Sequence, residues 1–177
     1  MPQATAESFD ENGYFITGDT GKITKDGFVY ITGRTKDIIV LGSGKNVYPD
    51  ELENEYLRSH LIEEIGIFGL KQNETEIVAA VIVPAIEMRR RHSRNEAKDI
   101  IANELQKISD KWPSYRKISE WAVTFHPLPR TSTKKIRKNE VRDIFFSLKD
   151  GVDKIKAQKS VSIQEKELME RESYQRI

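Results

Sequence analysis

The first thirteen residues (MPQATAESFDENG) carry apolar side chains with neither a period of two nor a helical one, and read as a lead-in loop. A short apolar run, Tyr14–Ile16, is punctuated by Thr17-Gly18-Asp19. Two β-prone runs, Gly21–Thr24 and Phe28–Ile31, then flank Lys25-Asp26-Gly27. An Asp-Gly between such runs predicts a hairpin, because glycine accepts the positive φ of a tight turn. Asp37–Leu41 reads as a buried strand, Gly42–Asn46 as a flexible connection, and Pro49 as the first residue of a helix with Asp50 and Glu51 at the positive end of its dipole. Two further strands are predicted at Ile65–Leu70 and Glu76–Val83, around a polar turn at Lys71–Thr75. Ser93-Arg94-Asn95-Glu96 matches a capping box, and Ala97, Ile100, Ile101, Leu105, Ile108 and Trp112 recur on one helical face until Pro113. Trp121–Phe125 predicts a strand, His126–Lys138 a loop rich in Pro, Thr and Lys, and Val141–Leu148 a closing helix.

Strands and helices interleave without a regular βαβ rhythm, so the expected fold is a compact α+β domain with a mixed sheet over residues 36–150. Residues 1–35 are expected to be the edge of a separate, larger domain, because a hairpin without a third strand is marginal in water. Residues 151–177, with six basic and five acidic side chains, read as a charged tail or a marginal helix. No internal repeat or low-complexity tract is visible.

Composition narrows the function. The 177 residues hold 29 Lys plus Arg against 28 Asp plus Glu, a net charge of +1, which argues against a polycation built to coat nucleic acid or an anionic membrane. Any basic site is therefore local. The absence of Cys removes thiol catalysis, disulfides and Cys-based zinc sites, and fits a reducing compartment. No apolar run reaches the roughly 18 residues that span a bilayer, and no signal segment follows Met1, so a cytoplasmic protein is expected.

The local motifs are ambiguous one by one. Asp19 in Thr17-Gly18-Asp19 can accept two hydrogen bonds from a ribose diol or be an ordinary turn residue. Arg34 in Gly33-Arg34-Thr35-Lys36-Asp37 can pair with a phosphate, with Lys36 and Asp37 at a hinge, or belong to a surface loop. Gly42-Ser43-Gly44-Lys45-Asn46 fails as a phosphate loop, since Ile39 stands where Gly is needed and Asn46 where Ser or Thr is needed. It fits either a backbone that lets an extended ligand lie close or a plain strand-to-helix connection. The strongest signal is Pro127–Arg142, where Arg130, Lys134, Lys135, Arg137 and Lys138 fall within nine residues without an acid among them. Such a loop can deliver an ammonium to a developing anion. A nucleic-acid patch would want interleaved aromatics, and a solvated basic loop is the dull alternative. His60, His92 and His126 lack metal-ligand spacing, and Arg89-Arg90-Arg91 with Arg94 reads as a solvated basic cluster.

Taken in order, Tyr14–Asp19, Gly33–Asp37, Gly44–Glu53 and Pro129–Arg137 resemble the last sequence blocks of the adenylate-forming acyl-CoA synthetase superfamily, over about residues 3–145. Ile38–Val47 together with the Thr-Ser-Thr-Lys-Lys loop is most similar to the long-chain fatty acid:CoA ligase branch. The resemblance implies a two-step ligase that uses Mg-ATP and CoA. Asp19 and Arg34 would contact the nucleotide, Lys36 would be the hinge of the C-terminal lid, and Lys135 would be the adenylation lysine. Gly42, Ser43, Gly44 and Lys45 would line the CoA channel. The family commonly has Gly where this chain has Lys134, which leaves Lys134 a competing amine. The resemblance also implies a fragment, without the phosphate loop, Mg-binding Glu and acyl pocket of the N-terminal adenylation domain. That fragment would be inactive alone, would bind no cofactor or metal by itself, and would be open to self-association through its hairpin and to peripheral membrane contact. An acyl-AMP or acyl carrier protein ligase is the alternative within the superfamily, and a nucleic-acid-binding module the alternative outside it.

Overall fold

The computed structural model describes Thr5 and residues 7–150; the predicted tail at 151–177 lies outside the described residues. Strands β1 (Asp19–Ile23) and β2 (Val29–Arg34) form the antiparallel hairpin, with Gly27 at φ 83° in its turn. Its apolar side chains Ile23, Phe28, Val29 and Ile31 are all exposed. Asp19 opens β1 rather than following a strand, because Tyr14–Ile16 contributes only an isolated bridge between Phe15 and Phe9.

The next segment departs from its prediction. A single 3-10 turn (Thr35–Asp37) leads into β3 (Ile39–Val40), which pairs antiparallel with β4 (Asn46–Val47). Gly42–Lys45 is thus the tip of a second hairpin, not a flexible strand-to-helix connection. Gly44 supplies the left-handed φ of 74°, and the Gly44 N–H donates to Leu41 O at 2.8 Å. Gly42 is needed for a close approach: a Cβ there would lie 2.6 Å from Thr75 Cγ2.

Helix α1 (Pro49–Tyr56) starts at Pro49 as expected. The main sheet consists of β5 (Ile62–Gln72), β6 (Thr75–Pro84) and β7 (Glu120–Val123) in that order, β5 antiparallel and β7 parallel to β6. Between β6 and β7 run α2 (Ile86–Arg91), which the periodicity did not reveal, and α3 (Arg94–Ser109), whose Ser93–Glu96 capping box is present. Helix α4 (Lys138–Lys149) begins three residues before its predicted start. Among the described residues no helix is long and apolar enough to cross a membrane.

The sheet is covered on both faces, which explains the unbroken apolar run of β6. Val78, Ala80 and Ile82 join Leu52 and Tyr56 of α1 and Ile101 of α3 in one core; Ala79, Val81 and Val83 join Leu128 and Val141, Ile144 and Phe145 of α4 in the other. Gly66 of β5 lets α4 come close, since a Cβ there would meet Val141 Cγ1 at 3.0 Å. The result is a mixed α+β domain in which the starts of α1 and α4 lie next to one another, bridged by an ion pair between Asp50 and Lys138.

Candidate functional site

The basic loop is itself a small hairpin. Arg130 and Ile136 bridge antiparallel, the Thr131 N–H donates to Lys135 O at 2.8 Å, and the Lys134 N–H donates to Thr131 O at 2.9 Å. This is a type of three-residue hairpin turn whose closing residue must be left-handed. Lys134 fills that position with φ 64°. A lysine side chain is strained there, and glycine is the residue the backbone favours. The observation separates the two competing amines by backbone: Lys134 holds the left-handed position of the turn and Lys135 does not.

Both ends of this hairpin are held from outside. At the first end, Glu64 of β5 accepts the Leu128 N–H at 3.0 Å and pairs with Arg130 Nη2 at 3.3 Å, while Arg130 Nη1 donates to Lys134 O at 2.8 Å. At the other end, Lys138 Nζ lies 2.8 Å from Asp50 Oδ1 and 3.4 Å from Glu53 Oε1, and Glu53 Oε1 also accepts the Ile67 N–H at 2.7 Å. Neither glutamate stands out in the sequence, because their roles depend on partners 14 to 85 positions away.

Burial pushes the Glu53 carboxyl above its ordinary value of 4.5, against the opposing pull of Lys138 and the Ile67 N–H. The sign of the resulting pH dependence follows. Between 4.5 and the raised folded value, the folded chain keeps a proton that the unfolded chain has released, so stability falls as pH rises through that window and is flat above it. Glu53→Gln cannot titrate. The urea midpoint of the natural chain relative to this variant is therefore expected to decline with rising pH across that window. A relative midpoint that climbs instead would mean that Lys138, not burial, dominates the site.

These elements wall a cleft of about 580 Å³. It brings together Arg34 from the end of β2, Lys36 from the 3-10 turn and Lys135 from the basic hairpin. The cations Arg34, Lys36, Arg130, Lys134, Lys135 and Lys138 line it against the carboxylates Asp37, Asp50 and Glu53. Lys138 is committed to the Asp50–Glu53 pair, and among the described residues neither Lys134 nor Lys135 has an ion-pair partner. The surplus of positive charge suits a polyanion such as a nucleotide phosphate chain. Asp19 does not line the cleft; its carboxylate pairs with Arg34 Nε at 2.8 Å across the first hairpin.

Gly42, Ser43, Gly44 and Lys45 are absent from that cleft too. Their hairpin tip packs beside the β5–β6 turn, and Lys45 Nζ sits 4.2 Å from the centre of the Tyr115 ring. Arg89 departs from the solvated reading of its cluster: Nη1 donates to Phe125 O at 3.0 Å, Nη2 pairs with Glu63, and Nε is buried without a partner. Arg90, Arg91 and Arg94 are exposed. Among the described residues no cluster of His, Asp and Glu is suited to a metal ion.

Comparison with known proteins meets this geometry. Residues 36–153 match the family described as AMP-binding enzyme C-terminal domain. The chain is 32% identical to the long-chain-fatty-acid–CoA ligase FadD13 of Mycobacterium tuberculosis over 80% of its length and 26% of the relative's. It is equally 32% identical to the indoleacetate–CoA ligase of Aromatoleum aromaticum, over 76% of its length and 24% of the relative's. It also superposes on ATP-bound MatB from Rhodopseudomonas palustris with a TM-score of 0.67 and 30% identity, covering 82% of this chain and 27% of that one. The chain spans about a quarter of the length of the curated relatives it matches. With the family model covering well over half of the sequence and the same α+β architecture in the solved relatives, the chain belongs to the AMP-binding enzyme C-terminal domain family.

Proposed function

We propose that residues 36–150 are the mobile lid of an AMP-forming fatty acid:CoA ligase of the long-chain branch, that residues 1–35 side with its adenylating domain, and that the lid turns about Lys36. In the first half-reaction a carboxylate oxygen attacks the α-phosphorus of Mg-ATP, the bond to the β-phosphate oxygen breaks, and pyrophosphate leaves. In the second, the CoA sulfur attacks the acyl carbon and AMP leaves. Lys135 supplies an ammonium to the first step, where it can bind both the carboxylate and the nucleotide as charge redistributes at phosphorus. Asp19 and Arg34 hold the nucleotide, after the ion pair between them opens. Gly42–Lys45 lines the pantetheine path in the other orientation of the lid.

One observation carries this reading: Lys135 and Arg34, 101 positions apart, share one cationic cleft with Lys36. That the CoA-channel hairpin lies away from this cleft supports a lid that offers different faces in the two half-reactions. The long-chain assignment rests on Ile38–Val47 and the Thr-Ser-Thr-Lys-Lys loop; the indoleacetate relative at equal identity fits a lid that leaves acyl choice to another domain.

The 177-residue chain alone is expected to give no fatty-acid-dependent ATP–pyrophosphate exchange. Joined to its adenylating domain it is expected to activate hexadecanoate in preference to indoleacetate or malonate and to pass the acyl group to CoA. Exchange by the isolated chain would overturn the lid reading; preference for an aryl or dicarboxylic acid would overturn only the branch; transfer to a carrier protein in place of CoA would make it a carrier-protein ligase.

A further inference from the structure

We propose that Glu64 and Glu53 are positioning residues that clamp the two ends of the Lys135 hairpin onto strand β5, so that the Lys135 amine enters the cleft at a set depth; this rests on the reading of Lys135 as the adenylation lysine. The hairpin needs such a clamp. Its internal bonds are few: those among Thr131, Thr133, Lys134 and Lys135, the Arg130 side chain on Lys134 O and the Arg137 N–H on Pro129 O at 2.9 Å; its tip residues Ser132–Lys135 are exposed, and an isolated two-stranded turn of this size is marginal in water.

The two carboxylates share one design. Each is mostly buried, with side-chain exposures of 14% for Glu64 and 13% for Glu53. Each accepts a backbone N–H and also meets a cation of the loop, so that the carboxylate is fixed by main chain before it fixes the loop. Glu64 stands on β5 and takes the Leu128 N–H; Glu53 comes from α1 but is tied to β5 through the Ile67 N–H. Both ends of the loop are thereby referenced to the most buried stretch of one strand, three residues apart. The first clamp reaches further: Glu64 holds Arg130, and Arg130 spans the hairpin to the carbonyl of Lys134, the residue that precedes the amine. Ordinary surface ion pairs contribute little to stability and would leave catalysis untouched. A clamp differs because a displacement of about 1 Å at a charge-stabilising group costs up to about a hundredfold in rate.

Glutamine tests the clamp gently, since Glu64→Gln and Glu53→Gln keep an oxygen for the backbone N–H and remove only the glutamate's charge; Lys138 keeps Asp50 at 2.8 Å, so Glu64→Gln is the sharper test. In the 177-residue chain, amide hydrogen exchange at Thr131 and Lys135 is expected to accelerate by about tenfold or more in Glu64→Gln while the β5–β6 amides keep their protection. In the ligase joined to its adenylating domain, kcat for acid-dependent pyrophosphate exchange is expected to fall by about tenfold, with KM for ATP and thioester formation from supplied acyl-adenylate within about twofold of the natural enzyme. The double variant Glu64→Gln/Lys135→Ala is expected to be no slower than Lys135→Ala alone, because Glu64 acts through Lys135. Unchanged amide exchange, a parallel loss in both half-reactions, or a double variant with multiplied defects overturns the clamp. If instead Lys135→Ala retains pyrophosphate exchange, the lysine assignment fails, and the amide-exchange arm still decides whether the glutamates hold the loop.

Discussion

If Lys135 is the adenylation lysine of a ligase, as proposed, replacing it by alanine in the protein that carries this domain is expected to slow acyl-adenylate formation by about 10²–10³-fold, the loss usual when a preorganised charge facing the transition state is removed. Adenylation brings an anionic carboxylate to a polyphosphate, so the barrier is raised by like-charge repulsion that water screens and a closed cleft does not. In the proposed mechanism an ammonium delivered by the lid offsets that repulsion where the new bond forms. Thioester formation from supplied acyl-adenylate is expected to stay within about threefold, because in the proposed cycle that step uses the other lid orientation and no charge builds at phosphorus in the same way. Lys134→Ala is the internal control and is expected to leave both steps within about threefold. Lys134 takes the left-handed position with φ 64° at the end of the turn, a place defined by backbone geometry rather than by the reach of its side chain. Should Lys134→Ala abolish adenylation while Lys135→Ala spares it, the catalytic amine lies one residue earlier.

Truncating Tyr56 to alanine is expected to destabilise the 177-residue chain by about 3–5 kcal/mol, the range for emptying a large aromatic site in a core. Tyr56 has no exposed surface, meets Trp112 edge to face with ring centres 5.3 Å apart, and lies in the core beside Ile101 and Leu105. Burial pushes its hydroxyl up to about 12, opposed by hydrogen bonds with the Ser109 side chain and the Ile118 backbone. Tyr56→Phe keeps the ring and forfeits those bonds, so its expected cost is about 1 kcal/mol. Urea unfolding of the two variants separates cavity from hydrogen bond, and equal midpoints would mean that the ring's packing contributes little. The effect reaches the site through α1, since the same short helix carries Asp50 and Glu53 and is anchored to the core by Leu52 and Tyr56.

Several elements are legible in the sequence because their signals are local. Ser93 and Glu96 close a reciprocal cap, Asp26-Gly27 turns the first hairpin, and Glu76–Val83 is a strand whose unbroken apolar run reflects burial on both faces. The misses have physical causes of their own. Gly42–Gly44 looked flexible because two glycines and a serine describe a loose linker as well as a two-stranded tip; what makes it a hairpin is the pairing of β3 with β4 and the hydrogen bond from the Val40 N–H to Glu76 at 3.0 Å, 36 positions away. Helix α2 was hidden because its six residues, with three consecutive arginines, are too few for a helical period to emerge. The solvated reading of Arg89 failed since its guanidinium caps the Phe125 carbonyl, a partner that only folding brings near.

For the candidate site the division is similar. By itself the sequence determined the order of the motif blocks, the concentration of positive charge between Arg130 and Lys138, and the family to which these blocks belong. Only the tertiary structure decided that Arg34, Lys36 and Lys135 line one cleft, that Asp19 pairs with Arg34, and that Glu53 and Glu64 hold the ends of the basic hairpin. The reason is one of range. Hydrophobic period, turn chemistry and caps act over a few residues and can be read along the chain, whereas an ion pair or a shared cleft depends on distances set by the order β5-β6-β7 and by the helices that cover its two faces.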